Sequence, residues 1–296
     1  MKKSRFLCVA ALAAAVVAGS AVAAVAENFK TDAPKTVKTS DGRTLNLVWN
    51  DEFNGDGLPD PEKWGYEVGY IRNNEEQYYT DARVENIFQK DGLLTIRTIR
   101  EDFNIAGKRN SKGRDTAKYT SAAIETDGKA SWLYGRVEVR AKLPSGKGIW
   151  PAIWMLGDNI HQEGWARCGE IDIMEYVGHT PFTAHATIHM QRKGGQPWEN
   201  VSKGHALKLD KDGEKPEERF YVYALEWTED KLLLFVDDVL SLEFKRSEEE
   251  PKTATWPFDK PQYLILNTAI GGAWGGEVDE SICPCDFQID YVRVYQ

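Results

Sequence analysis

The sequence predicts an all-β sandwich or barrel, and three observations carry that prediction. Stretches such as Arg136-Val137-Glu138-Val139-Arg140-Ala141-Lys142-Leu143 place apolar residues at every second position, the mark of a half-buried antiparallel strand. Similar stretches recur at short intervals, separated by turn residues. Long helical periodicity is absent, and many short strands without helices leave few architectures other than a sandwich or barrel. The length suits a large core in one domain, and no internal repeat is visible.

The chain opens with Lys2, Lys3 and Arg5, an Ala/Val/Leu run, then Ala24-Val25-Ala26 before Glu27. A basic start, an apolar middle and a small-residue end read as a signal peptide over 1–26. The alanine-rich run and its cleavage pattern argue against a membrane anchor, and Cys8 precedes most of the run, the wrong place for acylation. Residues 27–43 are polar and aperiodic and read as an N-terminal linker, leaving one domain over 44–296. The formal net charge of −9 argues against nucleic acid or anionic membranes as partners and suits a neutral substrate. Export leaves Cys168, Cys283 and Cys285, an odd set, so the framework is not built on disulfides. Cys168 reads as a buried structural thiol, and a bridge between Cys283 and Cys285 is an open alternative.

Leu45, Leu47 and Trp49 alternate as a first strand, and Asn54-Gly55-Asp56-Gly57-Leu58-Pro59-Asp60 is a turn. Further strands are expected over 93–100, 119–126, 135–143, 150–156, 182–190, 220–227, 231–236, 241–245, 263–269 and 287–295. Asp237-Asp238 makes a tight hairpin turn between two of them.

The informative stretch is Gly169-Glu170-Ile171-Asp172-Ile173-Met174-Glu175-Tyr176. In a strand Glu170 and Asp172 share one face and Ile171 and Ile173 the other. Strict alternation would place Met174 beside the first two acids. A β-bulge at or near Met174 returns Glu175 to the acidic face. Neighbouring carboxylates repel, so a strand built only for stability would avoid them. One reading is a glycosidase pair with an assistant: an ionised nucleophile, a protonated acid, and Asp172 separating their proton affinities. The others are a solvated edge strand or a cation site. The chain also carries 10 tryptophans, more than its core needs, and aromatic rings stack on the C–H faces of sugars. His185 and His189 point to one face of a strand, though a metal pair would want a third ligand. Asn200-Val201-Ser202 fits a glycosylation sequon, a three-residue pattern of little weight.

Glu-Ile-Asp-Ile-Met-Glu resembles the signature of glycoside hydrolase family 16, in the bulged form of its laminarinases rather than the shorter form of its lichenases. Gly148-Ile149-Trp150-Pro151-Ala152-Ile153-Trp154-Met155-Leu156-Gly157 and His185-Ala186-Thr187-Ile188-His189 extend the likeness, which runs from about Leu47 to the C-terminus. It implies a jelly-roll sandwich of two curved antiparallel sheets, similar to concanavalin A, with the substrate cleft on the concave face. It further implies a retaining endo-β-1,3-glucanase in which Glu170 is the nucleophile, Glu175 the acid/base and Asp172 the modulator of Glu170. By the same resemblance Asn74, Trp150, Trp154, Trp165, His189 and Trp274 line the sugar subsites. No catalytic cofactor is expected. A structural calcium ion held by Glu52, Gly92 and Asp290 is. The implied partner is a β-glucan, and the implied form a monomer in the periplasm or medium. Similar enzymes carry an arginine at the position of Ala123, a departure bearing on sugar affinity. The alternatives are a mixed-linkage β-1,3-1,4-glucanase or another polysaccharide hydrolase on this scaffold, or a β-glucan-binding protein that does not cut. Retention of all three acids favours turnover.

Overall fold

The computed structural model describes residues 33–209, 215, 217–246 and 253–296; the signal peptide expected over 1–26 lies outside them. Eighteen strands follow in chain order. They are β1 (Thr36–Lys38), β2 (Thr44–Asp51), β3 (Gly65–Tyr66), β4 (Gln77–Tyr79), β5 (Ile87–Lys90), β6 (Leu93–Asn104), β7 (Thr116–Ser121), β8 (Ala123–Glu125) and β9 (Gly135–Lys142). The second half comprises β10 (Ile149–Gly157), β11 (Glu170–Tyr176), β12 (Thr183–Gln191), β13 (Asn200–Lys208), β14 (Tyr221–Trp227), β15 (Lys231–Val236), β16 (Val239–Lys245), β17 (Gln262–Ile270) and β18 (Cys285–Tyr295). Every strand the alternation predicted is present. The segment 33–43, expected within a loose linker, instead carries β1, which pairs with β2 through Val37 and Leu45. Ala33 and Thr39 are buried there.

The strands form two sheets, the expected sandwich. One runs β13-β12-β11-β10-β17-β8-β3. The other, of eleven strands, runs β16-β15-β14-β9-β18-β6-β7-β4, with β1, β2 and β5 attached beside this path. All pairings are antiparallel except β4 with β7. The core lies between the sheets. Val137 and Val139 of β9 and Phe287, Ile289, Val292 and Val294 of β18 meet Ile153 and Met155 of β10, Ile171 and Ile173 of β11, and Leu264 and Leu266 of β17. Alternate residues of the seven-stranded sheet therefore face away from this core. Ala152, Trp154, Leu156, Tyr263 and Ile265 form a second apolar layer there. This layer is the floor on which the candidate site sits.

Cys168, Cys283 and Cys285 are free thiols, with Cys168 fully buried. Burial pushes the Cys168 thiol up to about 12, which suits the structural role read from sequence.

Candidate active site

The acid row is on β11, the third strand from one edge of the seven-stranded sheet. Against β12, Asp172 pairs with Thr187 and Glu175 with His185, so three steps on β11 oppose two on its neighbour. Against β10, Trp154 pairs with Asp172 and Ile153 with Met174. This is the expected bulge, at Ile173-Met174. Its extra residue lets Ile171, Ile173, Met174 and Tyr176 enter the core. Glu170, Asp172 and Glu175 line one cleft of about 360 Å³ on the opposite face. Gly169 sets the row's starting point: its φ is +79°, and a Cβ there would come within 2.5 Å of Pro257, a conformation and a space only glycine satisfies.

The three carboxyl groups have different surroundings. Glu175 accepts a hydrogen bond from Trp150 Nε1 at 3.0 Å. Burial, and then the neighbouring charge of Asp172, push its carboxyl well above the usual carboxylate range, which favours its protonated form. Asp172 is 3 % exposed; burial, then the charge of Glu170 and a hydrogen bond shared with it, raise this carboxyl well above its ordinary value too. Glu170 is reached from the loop before β11, where Trp165 Nε1 donates to its Oε2 at 2.6 Å. That loop is anchored by Cys168 N to Gly164 O at 3.0 Å and Ala166 N to Pro197 O at 2.9 Å. His189 of β12 faces the same end of the row, its Nε2 lying 3.3 Å from Asp172 Oδ2 and 3.9 Å from Glu170 Oε1. The row thus has an indole donor at each end and an imidazole beside its first two members. A carboxyl raised by burial at one end and one bonded by an indole donor at the other are the unequal surroundings that a two-carboxyl site requires.

Trp150, Trp154 and Trp165 all line the cleft with the acids. Trp154 donates to Asn267 Oδ1 at 2.7 Å and carries the Arg72 guanidinium 4.8 Å above its ring. Trp274 and His189 stand just behind the lining. Trp274 packs edge-on against Trp150 at 5.5 Å and His185 at 5.0 Å; His189 packs against Trp165 at 6.1 Å. Asn74 departs from expectation: it is exposed, and its neighbour Asn73 lines the cleft instead. Asn73 is exposed as well, and both have left-handed backbones, with φ of 51° and 52°. Arg72, Glu75 and Asn267 also line the cleft without having been foreseen. Arg72 and Glu75 flank Asn73-Asn74, whereas Asn267 lies with Thr268 in an otherwise largely apolar strand with no motif around it. Ala123 is fully buried in β8 opposite Asn267; the guanidinium in this cleft comes from Arg72 instead.

The expected cation ligands do not fit one ion. Glu52 is held by Arg293 through two bonds, Nε to Oε1 at 2.9 Å and Nη2 to Oε2 at 2.7 Å. Asp290 is paired with Arg140. Two carboxylates already neutralised by separate guanidinium groups, with the Gly92 carbonyl as third member, make a poor oxygen cage, and no step is derived through calcium. Glu170, Asp172 and His189 do bring one ligand atom each within 4.8 Å of the others. The Trp165 indole N–H already bonds Glu170, and Asp172 shares a hydrogen bond with the same carboxyl.

A family model described as Glycosyl hydrolases family 16 matches residues 74–293. A beta-glucanase of Rhodothermus marinus is 45% identical over 261 residues, covering 84% of this chain and 85% of that protein. The glucan endo-1,3-beta-glucosidase A1 of Niallia circulans is 38% identical over 85% of this chain and 38% of its own length. The X-ray structure of the laminarinase from Rhodothermus marinus superposes with a TM-score of 0.74 at 43% identity, covering 85% of this chain and 97% of that one.

Proposed function

We propose a specific reaction for this chain, which belongs to glycosyl hydrolases family 16 and is a glycoside hydrolase: exported hydrolysis of internal β-1,3-glucosidic bonds with retention of anomeric configuration. Glu170 attacks the anomeric carbon and forms a glycosyl-enzyme while Glu175 protonates the departing oxygen. Glu175 then takes the proton of the incoming water, which displaces Glu170 and regenerates both groups. Asp172 holds a proton toward Glu170. Trp150, Trp154 and Trp165 offer ring faces to the glucosyl units, and Asn73, Arg72 and Asn267 offer polar contacts to hydroxyls.

The carrying observation is the unequal surroundings of the carboxyl groups along one row. Glu175 is buried against Trp150 and raised well above its ordinary range, while Glu170 receives the Trp165 indole N–H. The enzymes from Rhodothermus marinus and Niallia circulans, named for glucan cleavage, support the substrate class. Export rests on the leader pattern of residues 1–26.

The test is reducing-sugar release from laminarin, curdlan and barley mixed-linkage glucan, with Glu170→Gln as the blank. Release from laminarin and curdlan that exceeds release from barley glucan and vanishes in the variant is expected. Proton NMR of the first product should show the β-anomer before mutarotation. An initial α-anomer would remove retention, binding without release would remove catalysis, and an uncleaved leader on protein from the native host would remove export.

A further inference from the structure

Asn200 opens β13 opposite Gln191 of β12, while His189 pairs with Ser202. Asn200 and His189 are thus diagonal neighbours on one face of the sheet. The sequon residue does not present its amide freely to solvent: Nδ2 lies 2.9 Å from His189 Nδ1, and a glycan on that nitrogen would disrupt the contact. On the far side of the ring, Nε2 faces Asp172 Oδ2 at 3.3 Å and Glu170 Oε1 at 3.9 Å, and among the described residues Asp172 Oδ2 has no other hydrogen-bond partner.

A neutral imidazole carries a single N–H, and the hydrogen bond made by one nitrogen decides where it sits. Carboxylate oxygens facing Nε2 call for the proton there. Nδ1 is then a bare lone pair and needs a donor, which the Asn200 amide supplies. We propose that Asn200 is a positioning residue of the active site, holding His189 in its Nε2–H tautomer. The result is a directional chain: Asn200 donates to His189, His189 donates toward Asp172, and Asp172 bonds Glu170. Contact with the Trp165 ring at 6.1 Å limits rotation of the imidazole away from this line. Asn200 Oδ1 is buried and without a partner. An amide turned about its axis would place that oxygen on Nδ1 and demand the opposite tautomer, so the two arrangements are distinguishable by where one proton resides.

The effect on rate rests on the hydrolase reading above; the tautomer does not. The experiment is nitrogen-15 NMR of the full chain labelled at histidine, with the His189 signals identified by their loss in His189→Gln. A protonated Nε2 and a bare Nδ1 are expected in the unaltered protein. In Asn200→Asp the new carboxylate should draw a second proton onto Nδ1, and kcat on laminarin should fall about tenfold, the scale of one hydrogen bond, with KM little changed. A proton on Nδ1 alone in the unaltered protein would overturn the assignment. So would an Asn200→Ala variant that keeps both the Nε2–H tautomer and normal kcat. The unaltered protein is read first, so a poorly folding variant cannot decide the matter. Failure of the glucanase reading would appear separately, as absence of sugar release.

Discussion

The acids of the two sheets are treated in opposite ways. On the outer face of the eleven-stranded sheet each of several acids has an arginine. Glu138 and Glu226 share Arg136 at 2.6 and 2.7 Å, Asp286 meets Arg97 at 2.7 Å, and Arg140 and Arg293 take Asp290 and Glu52. On the cleft face of the seven-stranded sheet, Glu170, Asp172 and Glu175 are bonded by indole and imidazole groups and by one another. A guanidinium fixes a carboxylate as an anion; an indole N–H steadies it without dictating its charge. The first sheet pairs its acids with guanidinium groups, and the second surrounds them with indole and imidazole groups.

The largest way to break this contrast is to remove the proton donor. Glu175→Gln should lower kcat on laminarin by about 10²–10⁴-fold, the contribution of general acid–base catalysis, with the fold intact by circular dichroism. In the unaltered enzyme kcat/KM should decline on the alkaline side as pH rises through the raised Glu175 value, because the acid is then lost. An alkaline limb that persists unchanged in the slow residual reaction of Glu175→Gln would assign the titration elsewhere.

On the other sheet the same deletion should cost stability instead. Arg136→Met removes the cation from Glu138 and Glu226, which are 8 % and 3 % exposed, leaves Glu226 only its bonds from Ser40, and should destabilise the fold by about 3–5 kcal/mol. The denaturant midpoint measures this, and specific activity below the transition should stay near normal. A lost activity with an unshifted midpoint would reverse the roles given to the two faces.

Smaller changes sharpen the comparison. Trp165→Phe keeps a ring in the cleft but removes the donor to Glu170, and kcat should drop about tenfold. Asp172→Asn should act in the opposite direction on stability. The raised Asp172 carboxyl binds its proton more tightly folded than unfolded, so its contribution is fully present below the unfolded value and lost as pH rises through the folded one. Replacing it should therefore raise the melting temperature at alkaline pH by on the order of 2–4 °C, the effect of 1 kcal/mol in a domain this large, and the gain should shrink toward acid pH. A gain of equal size at every pH would mean that titration is not its source.

The acid row was legible because a strand has two faces and a one-residue excess has only one remedy. Trp150, Trp154 and Trp165 were legible through the family resemblance, since number alone does not separate them from core rings such as Trp64 and Trp227. Asn74 is absent from the cleft lining while its equally exposed neighbour Asn73 is part of it, and a run of two asparagines does not say which one meets the cleft. The arginines that hold the expected cation ligands were not legible, because Arg293 is far from Glu52 and Arg140 far from Asp290 in sequence. β13 went unseen for a related reason. It is an edge strand with most residues exposed or half-buried, so its alternation is weak, and with it went Asn200.

The bulge at Ile173-Met174 has a consequence for how this strand tolerates insertions and deletions. In an ordinary half-buried strand, losing one residue turns every later side chain to the wrong face. Here deletion of Met174 would leave Glu-Ile-Asp-Ile-Glu-Tyr, whose plain alternation keeps all three acids in the cleft and the tyrosine in the core. The strand therefore contains one dispensable position at the centre of its most exacting segment, where the chain can change length without changing which atoms meet the substrate.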